Sequence, residues 1–231
     1  MNPEEAIPKR GVVVAIDGPA GAGKSTVAAR LAEALRLPYV NTGVMYRALT
    51  RRALDMGVDP GDGPALAALA RQLRFALDEG EPPSLLVDGR PPDRSLLAAD
   101  VEESVSRVAS HPDVRMVLRA EQRRLGAQGC VMEGRDIASA VFPDADVKIF
   151  VVASPEVRAW RRVEERGGAA DAVARRDASD SVTNPLVPAP DAYVLDTTTL
   201  DPDEAVDEAL AVVRRALAGG PTGEGRSGRR P

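Results

Sequence analysis

Gly18 to Thr26 reads GPAGAGKST, a run whose residue types and spacing can hold a polyphosphate. Gly18, four intervening residues, then Gly23, Lys24 and Ser25 make the Walker A spacing. Glycines at Gly18, Gly21 and Gly23 admit backbone angles that turn successive N–H groups into one concavity, where they meet phosphate oxygens. A helix starting at Lys24 would aim its positive end at the same point. In that arrangement Lys24 bridges the β- and γ-phosphates and the Ser25 hydroxyl can hold Mg²⁺. Pro19, Ala20, Ala22 and Thr26 complete the cradle. The plainer alternative is a tight strand-to-helix turn with no ligand. The motif names a nucleoside triphosphate and not a reaction. No NKxD tetrapeptide occurs, which disfavours a GTPase, and 231 residues leave no room for the accessory domains of a large motor ATPase. A small kinase or a nucleotide-dependent switch remains.

The elements that must position this cradle can be read from the apolar pattern. Val12 to Ile16 is a short apolar strand ahead of the loop. From Lys24 to Arg36 the apolar positions Val27, Leu31, Ala34 and Leu35 follow helical spacing, and Pro38 stops the helix. A second strand is expected over Pro38 to Asn41, and a helix from Thr42 to Met56 that ends at Gly57. Leu73 to Asp78, Leu85 to Asp88 and a third stretch near Arg90, separated by Gly and Pro, predict a small antiparallel excursion. Helices follow over about 98–110 and 112–128, with Pro112 in a first turn. Cys130 to Glu133 and Val147 to Val152 are further strands, and a helix runs from Pro155 to Arg166. The Gly167-Gly168 pair breaks it, with helix again to Asp180, a fifth strand over Ala192 to Leu195 and a closing helix over Asp201 to Leu217. Short strands that are apolar throughout, separated by helices, indicate α/β architecture: a five-stranded parallel sheet covered on both faces. Residues 1–10 and 218–231 read as flexible tails around one domain at 11–217, with a small insert near 60–110.

Composition narrows the partners. Thirty basic against 35 acidic residues give a net charge of −5, which excludes broad electrostatic binding of nucleic acid or acidic lipid. Only Lys9, Lys24 and Lys148 are lysines, so the basic side is almost all arginine and suits a specific anion. Aromatics are 3% of residues, and packing must rest on Ala, Leu and Val. Cys130 is the one cysteine and His111 the one histidine, which removes intrachain disulfides, Cys-based zinc sites and His-rich metal sites. Both have bland readings, Cys130 as a small buried hydrophobe and His111 as a turn residue before Pro112. No run of 18 apolar residues and no apolar signal core are present, so a cytoplasmic protein is expected. A monomer is expected separately.

Beyond the cradle, NTGVMYRALT (Asn41 to Thr50), MEGRDIASAVFPDADVKIF (Met132 to Phe150), RRDASDS (Arg175 to Ser181) and PLVPAPDAYVLDTTTL (Pro185 to Leu200) together resemble bacterial cytidylate kinases. The likeness covers about residues 11–217. It implies the P-loop nucleoside-monophosphate kinase fold, with a lid at about 155–183 and an acceptor-binding insert. It also implies phosphorylation of CMP and dCMP to their diphosphates, with ATP as donor and Mg²⁺. Arg47 and Arg135 match family positions that hold the acceptor phosphate. That role suits them, because planar guanidinium groups pair bidentately with phosphate oxygens. Asp136 matches a residue that positions the acceptor, the alternative being an ordinary salt bridge to a neighbouring arginine. Thr42 and Tyr46 match pocket positions, though Tyr46 is equally suited to the core. Ser106 and Arg115 match residues that recognise cytosine; by pattern alone both read as solvated helix positions. Lys24, Arg135 and Arg176 are the residues expected to act on the moving phosphoryl group, and Asp180 the one expected on the ribose side. Most of the arginines at 158, 161, 162, 166, 175 and 176 read as a solvated helix face. Glu133, at a strand end, suits Mg²⁺ through water or a plain charge partner.

Three departures from the family pattern stand out. The segment between Pro155 and Asp177 is short, Asn41 stands where the family often has aspartate, and Thr183 stands where another arginine is usual. The last of these predicts weaker CMP binding or looser base choice.

Overall fold

The computed structural model describes residues 11–166 and 186–219. Along the chain come β1 (Val13–Asp17), α1 (Lys24–Leu35), β2 (Tyr39–Asn41), α2 (Thr42–Asp55), α3 (Gly63–Ala70), β3 (Phe75–Leu77) and β4 (Leu85–Val87). A 3-10 turn (Arg94–Leu97), α4 (Ala99–Ser110), α5 (Pro112–Gly126) and β5 (Cys130–Glu133) follow. A π-helical turn (Ile137–Val141), β6 (Val147–Val152), α6 (Pro155–Arg166), β7 (Tyr193–Asp196) and α7 (Pro202–Leu217) complete the described elements.

The strand ahead of the phosphate loop is the centre of the sheet. The order is β2-β5-β1-β6-β7, and every neighbouring pair is parallel. Alternate residues of β1 serve opposite faces, as the two-residue repeat of a strand requires. Ala15 packs with Met45 and Leu49 of α2, Leu66 of α3 and Leu118 of α5. Val14 and Ile16 pack with Val27 and Leu31 of α1 and with Val206, Ala209 and Val213 of α7. Ligands collect beyond the carboxyl ends of strands in such sheets, where β1, β2 and β5 all terminate.

Local signals explain most helix boundaries. Asn41 caps α2 by accepting from the Val44 amide at 3.2 Å, and Asp201 and Glu204 form a reciprocal capping box on α7. Pro112 and Pro202 occupy first-turn positions, where a missing N–H costs nothing. Three elements differ from the sequence reading. Helix α3 lies inside the insert, capped by Asp62, whose side chain accepts from the Ala65 amide at 3.0 Å. Near Arg90 there is no third strand; Asp88 and Gly89 both take positive φ, and Val87 and Arg90 close the turn with reciprocal backbone bonds. The π-helical turn after Asp136 has no counterpart in the pattern. The Gly167-Gly168 break and the residues on to Pro185 lie outside the described residues, as do most of the two tails. Among the described residues no helix is long and apolar enough to cross a membrane.

Candidate active site

The loop between β1 and α1 takes the conformation its glycines permit. Gly18, Gly21 and Gly23 have φ of 144, 74 and 87°. At Gly18 and Gly21 space is as restrictive as φ: a Cβ would stand 2.1 Å from the Val151 carbonyl oxygen and 2.7 Å from that of Arg158. Gly23 occupies the N-cap of α1 with no side chain over the helix end, so the first-turn amides stay directed at the loop. Lys24 is buried and donates from Nζ to the Pro19 carbonyl at 2.6 Å, which folds the ammonium back over the loop.

Two arginines of α6, Arg158 and Arg161, brace this loop and are exceptions to the solvated face expected for most of the arginines at 158–176. Arg158 donates to the Ala20 carbonyl at 3.3 Å and to Ala153 O at 3.2 Å. Arg161 donates to Thr197 Oγ1 at 2.9 Å and to its carbonyl at 2.8 Å, and the Thr197 hydroxyl reaches Ala22 O at 3.0 Å. A solvated-face reading fails here because the end of β7 packs against the loop, which no helical repeat can report. Arg175, Arg176, Asp180 and Thr183 lie outside the described residues, as do the side chains of Arg162 and Arg166.

Across the strand ends, Glu133 is buried and fully engaged. Ser25 Oγ donates to its Oε2 at 3.0 Å, and the Tyr39 hydroxyl donates to Oε1 at 2.6 Å. Asn41 Nδ2 donates to the Tyr39 oxygen at 3.3 Å, while its own oxygen caps α2. Asparagine at 41 thus serves both contacts; an aspartate could cap but not donate, and would add a second carboxylate beside Glu133. Burial, with the Glu133 charge next, holds the Tyr39 phenol well above its ordinary range. Thr42 Oγ1 donates to the Glu133 carbonyl at 2.7 Å.

The acceptor-side candidates converge on one cleft of about 490 Å³ that the phosphate loop also lines. Thr42, Tyr46, Arg47, Ser106, Arg115, Arg135 and Asp136 all face it, from α2, α4, α5 and the end of β5. Arg47 donates from Nε to Glu102 Oε1 at 2.7 Å, with the two side chains 12% and 16% exposed. Arg115 and Arg119 both donate to Asp136 Oδ2, the former at 2.7 Å. Arg135 donates to the Gly134 carbonyl at 3.4 Å. Asp136 therefore carries the salt bridge weighed as its alternative and still borders the cleft. Tyr46 likewise combines its two readings: it packs on the core beneath α2 and borders the cleft, and burial pushes its phenol up to about 12. Arg115 and Ser106 line the cleft, and Arg115 is buried; neither is a solvated helix position.

Sequence reasoning passed over Asp17, Arg119 and Glu102. Asp17 is 4% exposed, and its two carboxylate oxygens accept from the Ile137 and Ala138 amides, each at 2.8 Å. Burial raises its carboxyl to about 6, against the lowering effect of those two amides; the Asp136 charge adds to the rise and Lys24 opposes it. Arg119 falls one helical turn after Arg115, a spacing that signals a shared partner on one face. Cys130 is buried, its thiol pushed up to about 12, and His111 meets the Pro60 carbonyl through Nε2 at 2.9 Å. Both keep their structural readings.

The donor set at Ser25 and Glu133 is all oxygen, hydroxyl and carboxylate, which suits a hard cation such as Mg²⁺. Among the described residues no group of three or more His, Cys, Asp or Glu side chains could hold a metal ion by themselves. A pair of protein oxygens completed by phosphates and water is the arrangement Mg²⁺ takes with nucleotides.

Comparison with known proteins gives one consistent result. The family model for cytidylate kinase matches residues 14–215. A cytidylate kinase of Geobacillus kaustophilus is 46% identical over 222 residues, which covers 90% of this chain and 99% of that protein. One from Acidiphilium cryptum is 43% identical over 224 residues, 91% of this chain and 99% of its own length. A bifunctional pantoate ligase/cytidylate kinase of a Synechococcus strain is 41% identical over 227 residues, and there the match spans 42% of the longer protein.

Proposed function

The chain belongs to the cytidylate kinase family, and from that premise we propose that it transfers the γ-phosphoryl group of ATP to CMP and dCMP, giving CDP and dCDP. The observation that carries this reading is the single cleft bordered on one side by the phosphate loop with Lys24 and on the other by Arg47, Arg115, Arg135 and Asp136. A nucleotide switch has no use for a second cationic wall facing its phosphate loop.

The acceptor is a phosphate already ionised near neutral pH, so no general base is required, and catalysis reduces to positioning and charge neutralisation. The loop amides from Ala20 to Thr26, together with Lys24, hold the donor. Arg47 and Arg135 hold the acceptor phosphate, and Thr42 and Tyr46 border it. Arg115, Ser106 and Asp136 present donors and an acceptor that match the edge of cytosine. Arg176 and Asp180, within the segment 155–183 read as the lid, act on the moving phosphoryl group and on the ribose side, and residues near 60–110 form the acceptor-binding insert. Ser25 and Glu133 would hold Mg²⁺, which supplies charge neutralisation of the β- and γ-phosphates when bound.

The test is a coupled ATP assay across CMP, dCMP, UMP and AMP. CMP and dCMP should be the preferred acceptors, with the ratio of kcat/KM for CMP over UMP reduced by Thr183. Lys24→Ala should lower kcat at least ~100-fold with the fold intact. ATP binding without diphosphate formation from any acceptor would refute the kinase reading.

A further inference from the structure

The turn that carries Arg135 and Asp136 has an unusual support. Ile137 and Ala138 contribute the first two amides of the π-helical turn, and such amides need an acceptor from outside it. Asp136 stands at the cap position, yet its side chain does not cap; Arg115 and Arg119 occupy it instead. Both amides are met by Asp17, 120 and 121 residues earlier in the chain. Asp17 is the last residue of β1 and directly precedes Gly18, so one buried carboxylate joins the donor loop to the acceptor turn.

We propose that Asp17 is a positioning residue for phosphoryl transfer: it caps the turn at 137–138 in place of Asp136 and so fixes Arg135 and Asp136 at the cleft, in register with the phosphate loop. This rests on the reading of Arg135 and Asp136 as acceptor-binding residues. The two sides of the joint are not equally supported. The phosphate loop is held without Asp17, by the ladders from β1 to β5 and β6, by Arg158 on Ala20 O and by Thr197 on Ala22 O. The turn has Arg123 on its Ala140 and Val141 carbonyls at the far end, but its leading amides depend on Asp17. Weakening the joint should therefore displace the acceptor side and spare the donor side.

A neutral substitute that cannot cap both amides separates this from a structural role. Asp17→Asn keeps the shape but offers one oxygen, and its NH₂ cannot accept from an amide. The expected result is a KM for CMP raised about tenfold, the scale of one charge-assisted hydrogen bond, with the KM for ATP within about twofold of wild type. Exchange protection of the Ile137 and Ala138 amides should fall while that of the β1 amides persists. Arg135→Ala, assayed in parallel, tests the underlying reading. If Arg135→Ala raises the KM for CMP and Asp17→Asn does not, the proposal is overturned and the reading stands. If neither variant changes it, the acceptor-site reading itself falls, and the proposal with it. Equal loss for ATP and CMP, or a variant that no longer folds, would also overturn the proposal, because Asp17 would then be supporting the domain at large.

Discussion

Replacing Asp136 by asparagine isolates the charge at the centre of the acceptor wall. Arg115 and Arg119 share one oxygen of this carboxylate, and the exposures of Arg115, Arg119 and Asp136 are 10, 28 and 15%. The wild-type trio carries one net positive charge. The isosteric amide leaves two guanidinium groups facing an oxygen that can no longer neutralise either. Removing one partner of a buried ion pair costs ~3–5 kcal/mol, and the partial exposure of Arg119 brings the expected figure down to ~2–3 kcal/mol. In a domain of this size each kcal/mol moves Tm by ~2–4 °C, so a fall of ~5–10 °C is expected in thermal unfolding followed by circular dichroism at neutral pH. The second variant is Asp136→Asn with Arg119→Met. It returns the site to a single positive charge and removes Arg119 Nε, a buried nitrogen with no hydrogen-bond partner among the described residues. The double variant should recover about half of the lost Tm, because the remaining arginine keeps the amide oxygen. A drop below ~2 °C in the single variant, or a double variant no more stable than the single, would refute the charge account.

Two further outcomes follow from other carboxylates, the half-buried Glu102 and the buried Asp17. Glu102 meets Arg47 at Nε and is not among the residues that border the cleft, so it orients the guanidinium from behind. Glu102→Ala should raise the KM for CMP by ~5–10-fold and leave that for ATP unchanged, with Glu102→Gln intermediate because its oxygen still accepts; a lower KM would mean that Glu102 competes with the acceptor for Arg47. Asp17, with its carboxyl raised to about 6 from an ordinary 3.8, binds its proton more tightly folded than unfolded. Its contribution to stability is therefore greatest below pH 3.8 and is lost as pH rises through about 6. Asp17→Asn has no such proton. Unfolding free energies from urea titration should show wild type losing ~2–3 kcal/mol relative to the variant between about pH 4 and about pH 7.5, and a difference that does not vary with pH would contradict this.

Much of the site was legible in residue order because it is locally encoded. Glycines at 18, 21 and 23 permit a loop conformation that depends on their own φ, and Asn41, Pro112 and Asp201 mark helix starts through contacts within a few residues. Helix α3 carried the same kind of signal, Asp62 followed by Gly63 and Pro64, and was obscured by the irregular stretch around it. The resemblance to cytidylate kinases gathered Arg47, Arg115, Arg135 and Asp136 as candidates. It did not show that Arg47 leans on Glu102 or that Arg115 shares Asp136 with Arg119. The arginines of α6 show the limit of periodicity from the other side. Their spacing reads as a solvated face, yet Arg158 and Arg161 brace the loop, since the end of β7 lies against it.

The sequence by itself determined most strand and helix positions, that the central strands β1, β5 and β6 are buried on both faces, and that a phosphate-binding loop joins β1 to α1. Those properties follow from backbone angles and from apolar repeats of two or 3.6 residues, which are short-range. Only the tertiary structure decided the partners: Ser25 with Glu133 across 108 residues, and Asp17 with the 137–138 amides across 120 and 121. The physical reason is the sheet order, β2-β5-β1-β6-β7, which sets the ends of β1 and β5 side by side although five α-helices separate them in the chain. A carboxylate has no local preference among amides; the partner it meets is the one the packed sheet delivers.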